Sequence, residues 1–366
     1  MSADFSFRGK PLSIQWAALV LLSAALAGGL TLLRLPAALL LGAIGAAALV
    51  SAHDGELRVP PRLFLLAQAV IGGLVAQFIK PDILREIALD WPMFILAALS
   101  VIAASCALGW ALAHWKVFPD STPIWGSLPG AASAMVLMAG AYGADMRLVA
   151  FMQYLRVLLV ALVASLVARF VAPGGGGPSH WLAASAPVDW VNFGLTCALL
   201  VSAGWAGHRL RIPAGPLLLP LAAGAAVQDF GLLTLELPRF LLAACYAALG
   251  WSIGLRFTRA ILRHAFKALP AILASTLALI AICGGFGVLL SRYAHIDAMS
   301  AYLATSPGGM DAVAIIAAST KVDMPFVMAL QTARILLVIL IGPSLARLVA
   351  DRTAAPAADA ENACRD

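Results

Sequence analysis

Arg156 and Arg334 each sit ten residues into an apolar run, one starting at Met146 and the other at Met324. At about 1.5 Å per residue along a helix, that is roughly 15 Å in, near the middle of a bilayer core about 30 Å thick. A guanidinium there costs at least about 2.5 to 3.5 kcal/mol, so it must face a partner or an aqueous cavity and not lipid. Gln153 and Gln331 precede the arginines by three residues and share their helix face. Such a polar spot has three uses: binding a carboxylate of a small solute, pairing with an internal acid such as Asp311, or donating to carbonyls freed by a broken helix.

The break itself is written into the sequence. Pro129-Gly130 and Pro307-Gly308-Gly309 interrupt apolar stretches at equivalent places. Proline ends the segment before it and suits the first turn of a new helix, so each pair predicts a helix terminus inside the membrane. Free N–H groups at such a terminus attract anions, and a simple kink is the plainer alternative. Asp311 stands where the first motif has Ser133. Its carboxylate suits a helix's first turn, an arginine partner, or a cation or proton site, with H+ or Na+ as the coupling ion. Asp145 and Asp323 each precede a helix start by one residue and rank second as site residues, because N-capping is their expected role.

Other chemistry finds little footing. The six histidines are isolated and no CxxC occurs, so neither a metal site nor a disulfide is expected. The intramembrane cysteines read as small packing residues. No Walker loop, nucleophile elbow or dinucleotide fingerprint is present, so no catalytic residues, cofactor or enzyme activity are assigned.

The elements that must hold these residues follow from composition. Of 366 residues 62% are hydrophobic and 11% charged, with a mean hydropathy of +0.94. A water-facing surface cannot be covered from that stock, so the chain is an all-α polytopic membrane protein whose first partners are lipids. Runs apolar on every side, such as Ala17 to Leu33 and Leu269 to Leu290, exclude the alternating strands of a β-barrel. The net charge of +6 lies in loops, as topology determinants do, and nucleic-acid binding is disfavoured. No small-residue cleavage site follows Arg8 and Lys10, so the first span is read as retained.

The chain is also duplicated. Leu128-Pro-Gly-Ala-Ala-Ser-Ala, Asp145-Met146 and Gln153-x-x-Arg156-Val-Leu-Leu-Val return at one constant offset as Ser306-Pro-Gly-Gly-Met-Asp-Ala, Asp323-Met324 and Gln331-x-x-Arg334-Ile-Leu-Leu-Val. Upstream, Arg34-Leu-Pro-Ala answers Arg211-Ile-Pro-Ala, Pro61-Arg62 answers Pro238-Arg239, and Trp91-Pro92 answers Leu269-Pro270. This divides the chain into an N-terminal stretch 1–14, a membrane repeat 15–171, a Gly/Pro linker 172–187, a second repeat 188–350, and a tail 351–366 expected to be disordered. Each copy offers six apolar segments, two of them too short to cross alone, for about 10 to 12 transmembrane or half-membrane helices in all. The loop holding Lys80, Asp82, Arg85, Glu86 and Asp90 is mixed in charge, whereas its counterpart holding Arg256, Arg259, Arg263 and Lys267 is basic. The contrast predicts inverted repeats.

With those motifs assembled, the chain resembles the AbrB family of bacterial inner-membrane proteins over about residues 15 to 350. The resemblance implies a multi-pass protein of the bacterial cytoplasmic membrane. Family members carry labels of an ammonia monooxygenase or of a regulator of AidB expression. A layout of inverted repeats with broken helices is also similar to that of some secondary transporters, at the level of fold alone. Three functions are therefore expected to compete. The leading one is a secondary transporter or exporter of a small anionic or zwitterionic solute, working by alternating access and as a monomer or homo-oligomer. A membrane regulator acting on gene expression through a partner comes second, and a membrane oxygenase, disfavoured for want of metal ligands, third.

Overall fold

The computed structural model describes residues 7, 9–33, 35, 37–78, 91–115, 121–129, 135–136, 139, 144–171, 189–211, 214–266, 268–338 and 340–341. Among them every regular element is a helix, as expected where backbone groups have no water to bond. In chain order these are α1 (Leu12–Leu32), α2 (Ala38–Ala52), α3 (Pro61–Ala76), α4 (Trp91–His114), α5 (Thr122–Ser127), α6 (Met146–Val171), α7 (Trp190–Arg209), α8 (Gly215–Asp229), α9 (Arg239–Gly254), α10 (Arg259–Ala265), α11 (Leu269–Ala294), α12 (Ala298–Thr305), α13 (Met310–Ala318) and α14 (Met324–Val338). The charged loop 80–90, the Gly/Pro linker, the tail, Gly130 and Ser133 lie outside the described residues.

Among the described residues α1, α4, α6, α7 and α11 are long and apolar enough to cross a membrane, so the chain is an all-helical, multi-pass membrane protein. Their surfaces agree with their lengths. Only 22% of the apolar window of α1 or α7 is buried, and 33% of that of α4 or α11, so large side chains such as Leu21, Leu96, Val191 and Leu289 face outward. In water such faces would be a liability, and in acyl chains they are at home. Exposed aromatics mark the helix ends: Trp91 and Trp115 bracket α4, Trp190 opens α7, and Phe170 and Tyr293 close α6 and α11. Amphipathic rings favour the headgroup level. By contrast, 61% of the α6 window is buried, which marks it as an interior helix.

The described helices form two compact units that cut across the sequence copies. One draws on Met1–Trp91, Ala161–Arg259 and Met310–Ala329, the other on Pro92–Val160, Ala260–Gly309 and Leu330–Asp366. In the first unit, α1 packs on α2 and α7 on α8, and the third helix of each copy crosses to the other copy's second: α9 on α2, α3 on α8. Glycine makes the crossing tight. A Cβ on Gly250 would stand 2.8 Å from the Leu40 carbonyl, and one on Gly72 would strike the carbonyl of Leu217. Leu40 and Leu217 occupy matching places, four residues beyond the prolines of the duplicated Arg-x-Pro-Ala motif. Small residues at such crossings let backbones approach and gain dispersion where no hydrophobic force acts. The alanine of each motif, Ala37 and Ala214, adopts the same left-handed φ of 54° just before its helix. A non-glycine residue held there costs roughly 1 to 3 kcal/mol and persists only where surrounding packing dictates it.

The second unit centres on a core of Ile102, Ile124, Trp125, Leu128, Met135, Val149 and Val338, with Val101, Leu279 and Cys283 beside it. Each half-helix leans on the long helix before it. A Cβ on Gly109 of α4 would meet Ile124 Cα at 3.2 Å, and one on Gly287 of α11 would meet Tyr302 Cα at 3.0 Å. The duplicated sequence thus makes the same contact twice.

Candidate functional site

Both breaks arise from proline acting on its predecessor. Leu128 and Ser306 precede Pro129 and Pro307, and a residue before proline is driven out of the helical region. They sit at ψ 125° and 136°, and the half-helices α5 and α12 accordingly stop at Ser127 and Thr305. Each break frees a set of C-terminal carbonyls. In the second copy helix resumes only at Met310.

The intramembrane glutamines and arginines take up those carbonyls. Gln153, fully buried, donates from Nε2 to the carbonyls of Trp125 (2.8 Å) and Leu128 (3.0 Å). Gln331 donates to those of Leu303 (2.8 Å) and Ser306 (3.2 Å). One guanidinium nitrogen of Arg156 donates to Ser127 (3.0 Å) and Leu128 (3.1 Å), and the other to Gln153 Oε1. Arg334 donates to the Ser306 carbonyl and to that of Gly308 (2.8 Å). Of the readings open from the sequence, the carbonyl role is therefore the one the geometry displays. Pro307 is buried beside these groups, and a side chain at Gly309 would meet Val157 of α6.

The charge is only partly answered. Arg156 and Arg334 are 4% and 2% exposed, and among the described residues neither forms an ion pair with a carboxylate. Carbonyls at a helix C-terminus carry partial negative charge, which offsets each guanidinium in part without neutralising it. Arg334 lies close enough to act on the charge of Arg156, and Cys283 lies near both. Each also has a buried Nε without a hydrogen-bond partner. Beside Arg156 a cavity of about 10 Å³, as available to the centre of a water-sized guest, is lined on its polar side by Ser127, Ser275 and Thr276. That is room for about one water.

Asp311 is held by a different partner. It lies on α13 in the other unit, where Gln68 of α3 donates to its two oxygens at 3.4 and 3.2 Å. Asp145 and Asp323 do cap helices, accepting from Arg147 and Leu148 and from Phe326 respectively. Asp145 also pairs with His264 at 2.8 Å. Burial would raise its carboxyl, but the His264 bond and the two N–H donors outweigh that and hold it below the usual carboxylate range. Among the described residues no three His, Cys, Asp or Glu side chains gather as a metal ion would require.

Gln68, His264 and the half-helices themselves escape a reading of the sequence. Gln68 alone left a trace, as the single amide in an otherwise apolar helix with Arg62 at its start.

The family model AbrB, described as "Transition state regulatory protein AbrB", matches residues 39–350. The chain is 46% identical over 336 residues to the Escherichia coli (strain K12) protein named "Putative regulator AbrB", covering 92% of this chain and 97% of that one. It is 25% identical over 304 residues to "Uncharacterized protein YhjN" of Bacillus subtilis (strain 168), covering 79% of each. With the family model spanning both breaks and both arginines, the chain belongs to the AbrB family.

Proposed function

We propose that this protein is a secondary transporter of a small anionic or zwitterionic solute in the bacterial cytoplasmic membrane, and not an enzyme. The observation that carries the proposal is the pair of buried guanidiniums without carboxylate partners among the described residues, each with an unbonded Nε, at two broken helices of one unit. Broken helices at membrane depth are tolerated where they line a cavity, and their recurrence in two repeats is a pointer to a transport site. An arginine serving only as scaffold would be neutralised more fully, since an unanswered charge in low dielectric is expensive. A negative solute group supplies the missing charge, and the one-water cavity enlarges when the helices part. In this reading the copies are inverted, as the contrast in loop charge supports.

Uptake of labelled carboxylates into proteoliposomes tests the proposal. Accumulation is expected with the wild type and is lost in Arg334→Ala. Equal uptake by protein-loaded and empty vesicles across a broad panel of anions and zwitterions overturns it. The name of the Escherichia coli relative, a regulator, favours a second reading, a membrane protein that affects gene expression through a partner. A variant dead in uptake that still regulates would decide for that reading.

A further inference from the structure

Away from the arginines, the first unit holds one acid in an unusual setting. Asp311 stands in the first turn of α13, facing α3. Its neighbours along α13 are Met310, Ala312 and Val313, all buried. The only hydrogen bonds drawn to its carboxylate among the described residues come from Gln68 Nε2, at 3.4 and 3.2 Å. Among the described residues no charged group acts on it. Asp311 is the sole titratable residue of α13. The one charged residue of α3, Arg62, is exposed six residues before Gln68, roughly 9 Å along the helix.

A carboxylate kept permanently ionised in such a place would be expected beside arginine or lysine, because a lone buried charge is costly. A neutral amide is a different kind of partner. It donates from Nε2 when the acid is ionised, and after turning over it accepts at Oε1 when the acid carries a proton. Both protonation states thus keep a hydrogen bond, and neither is locked by a fixed charge. Asp311 as a residue keeps some surface open, so protons can approach it. The duplication sharpens the point, since the matching residue in the first copy is Ser133, which cannot hold a charge. One copy alone carries the group.

From this juxtaposition we infer that Asp311 and Gln68 form a proton-binding site, in which the Asp311 carboxylate takes up and releases one H+ against the Gln68 amide. Coupling of that proton to solute movement rests on the transport reading, but the site itself does not.

Infrared spectroscopy of the full chain in lipid vesicles, with isotope-labelled aspartate and no solute present, tests it. A buried carboxylic-acid C=O band is expected to appear as pH falls and to be missing from Asp311→Asn. Gln68→Leu keeps the acid but removes the donor to its ionised form, so the band should persist to higher pH in that variant. Absence of a titrating buried band in the wild type overturns the inference, as does a band unchanged in both variants. Should Asp311→Asn fail to elute as a folded protein, the wild-type band and its movement in Gln68→Leu decide alone. Because no transport is measured, loss of this site and loss of the arginine site are separate results.

Discussion

At the first break the network closes on itself: Gln153 gives its amide hydrogens to Trp125 and Leu128 and its oxygen to Arg156. At the second, Gln331 makes the same donations from its amide, but its Oε1 has no partner, and Arg334 reaches instead to the Gly308 carbonyl within the break. Equivalent residues thus build one half-site whose glutamine is fully bonded and one whose glutamine keeps an unbonded acceptor, each arginine retaining an unbonded Nε. On the transport reading, the difference favours recognition at the second break, where the Gln331 oxygen and Arg334 still have bonding capacity. It also means that reshaping the second break would release Arg334 directly, whereas Arg156 would stay tied to its own helix.

The largest effects should come from removing the guanidiniums. Arg156→Ala and Arg334→Ala each take the side-chain donor from a buried carbonyl, Ser127 and Gly308 respectively, and each should cost about 2 kcal/mol of unfolding free energy in detergent. Double-mutant cycles then separate the half-sites. Coupling of about 1 kcal/mol is expected between positions 153 and 156, which bond directly, and less between 331 and 334, which only share the Ser306 carbonyl. Equal coupling in the two cycles would erase the distinction.

Smaller differences test the packing beneath. Gly109→Ala and Gly287→Ala both gain helix propensity of about 1 kcal/mol, opposed by crowding against the half-helix. Gly287 has less room, at 3.0 Å from Tyr302 Cα and Thr305 Oγ1 against 3.2 Å for the nearest atoms at Gly109, so Gly287→Ala should melt at the lower temperature. The smallest effect belongs to the caps. Because the Asp145 carboxyl is held low in the folded state, its contribution is present above the ordinary carboxylate value and fades as pH falls through the depressed one. Asp145→Asn should therefore lower the melting temperature slightly at neutral pH and match the wild type in strong acid.

Much of this was legible before any coordinates. Apolar run lengths located the long spans, the duplicated polar residues located the network, and the spacing of Asp145 and Asp323 before their helices foretold capping. The half-helices α5 and α12 were hidden because six to eight residues carry too little periodicity to declare themselves. The Gln68–Asp311 bond was hidden because nothing local links positions so far apart. The interleaving of copies into two units was likewise out of reach, since contiguous duplication says nothing of which helices exchange partners.

The central claim is that the paired breaks hold uncompensated positive charge for a negative guest. Thermal unfolding of the purified protein across a panel of small anions, cations and neutral solutes tests it most directly. A ligand at one hundred times its Kd stabilises the state it binds by about 2.7 kcal/mol. Stabilisation is expected with some of the anions and with none of the cations or neutral solutes, and it should be lost in Arg334→Gln, which removes the charge but keeps a donor. Stabilisation by no anion, or stabilisation undiminished in Arg334→Gln, would contradict it.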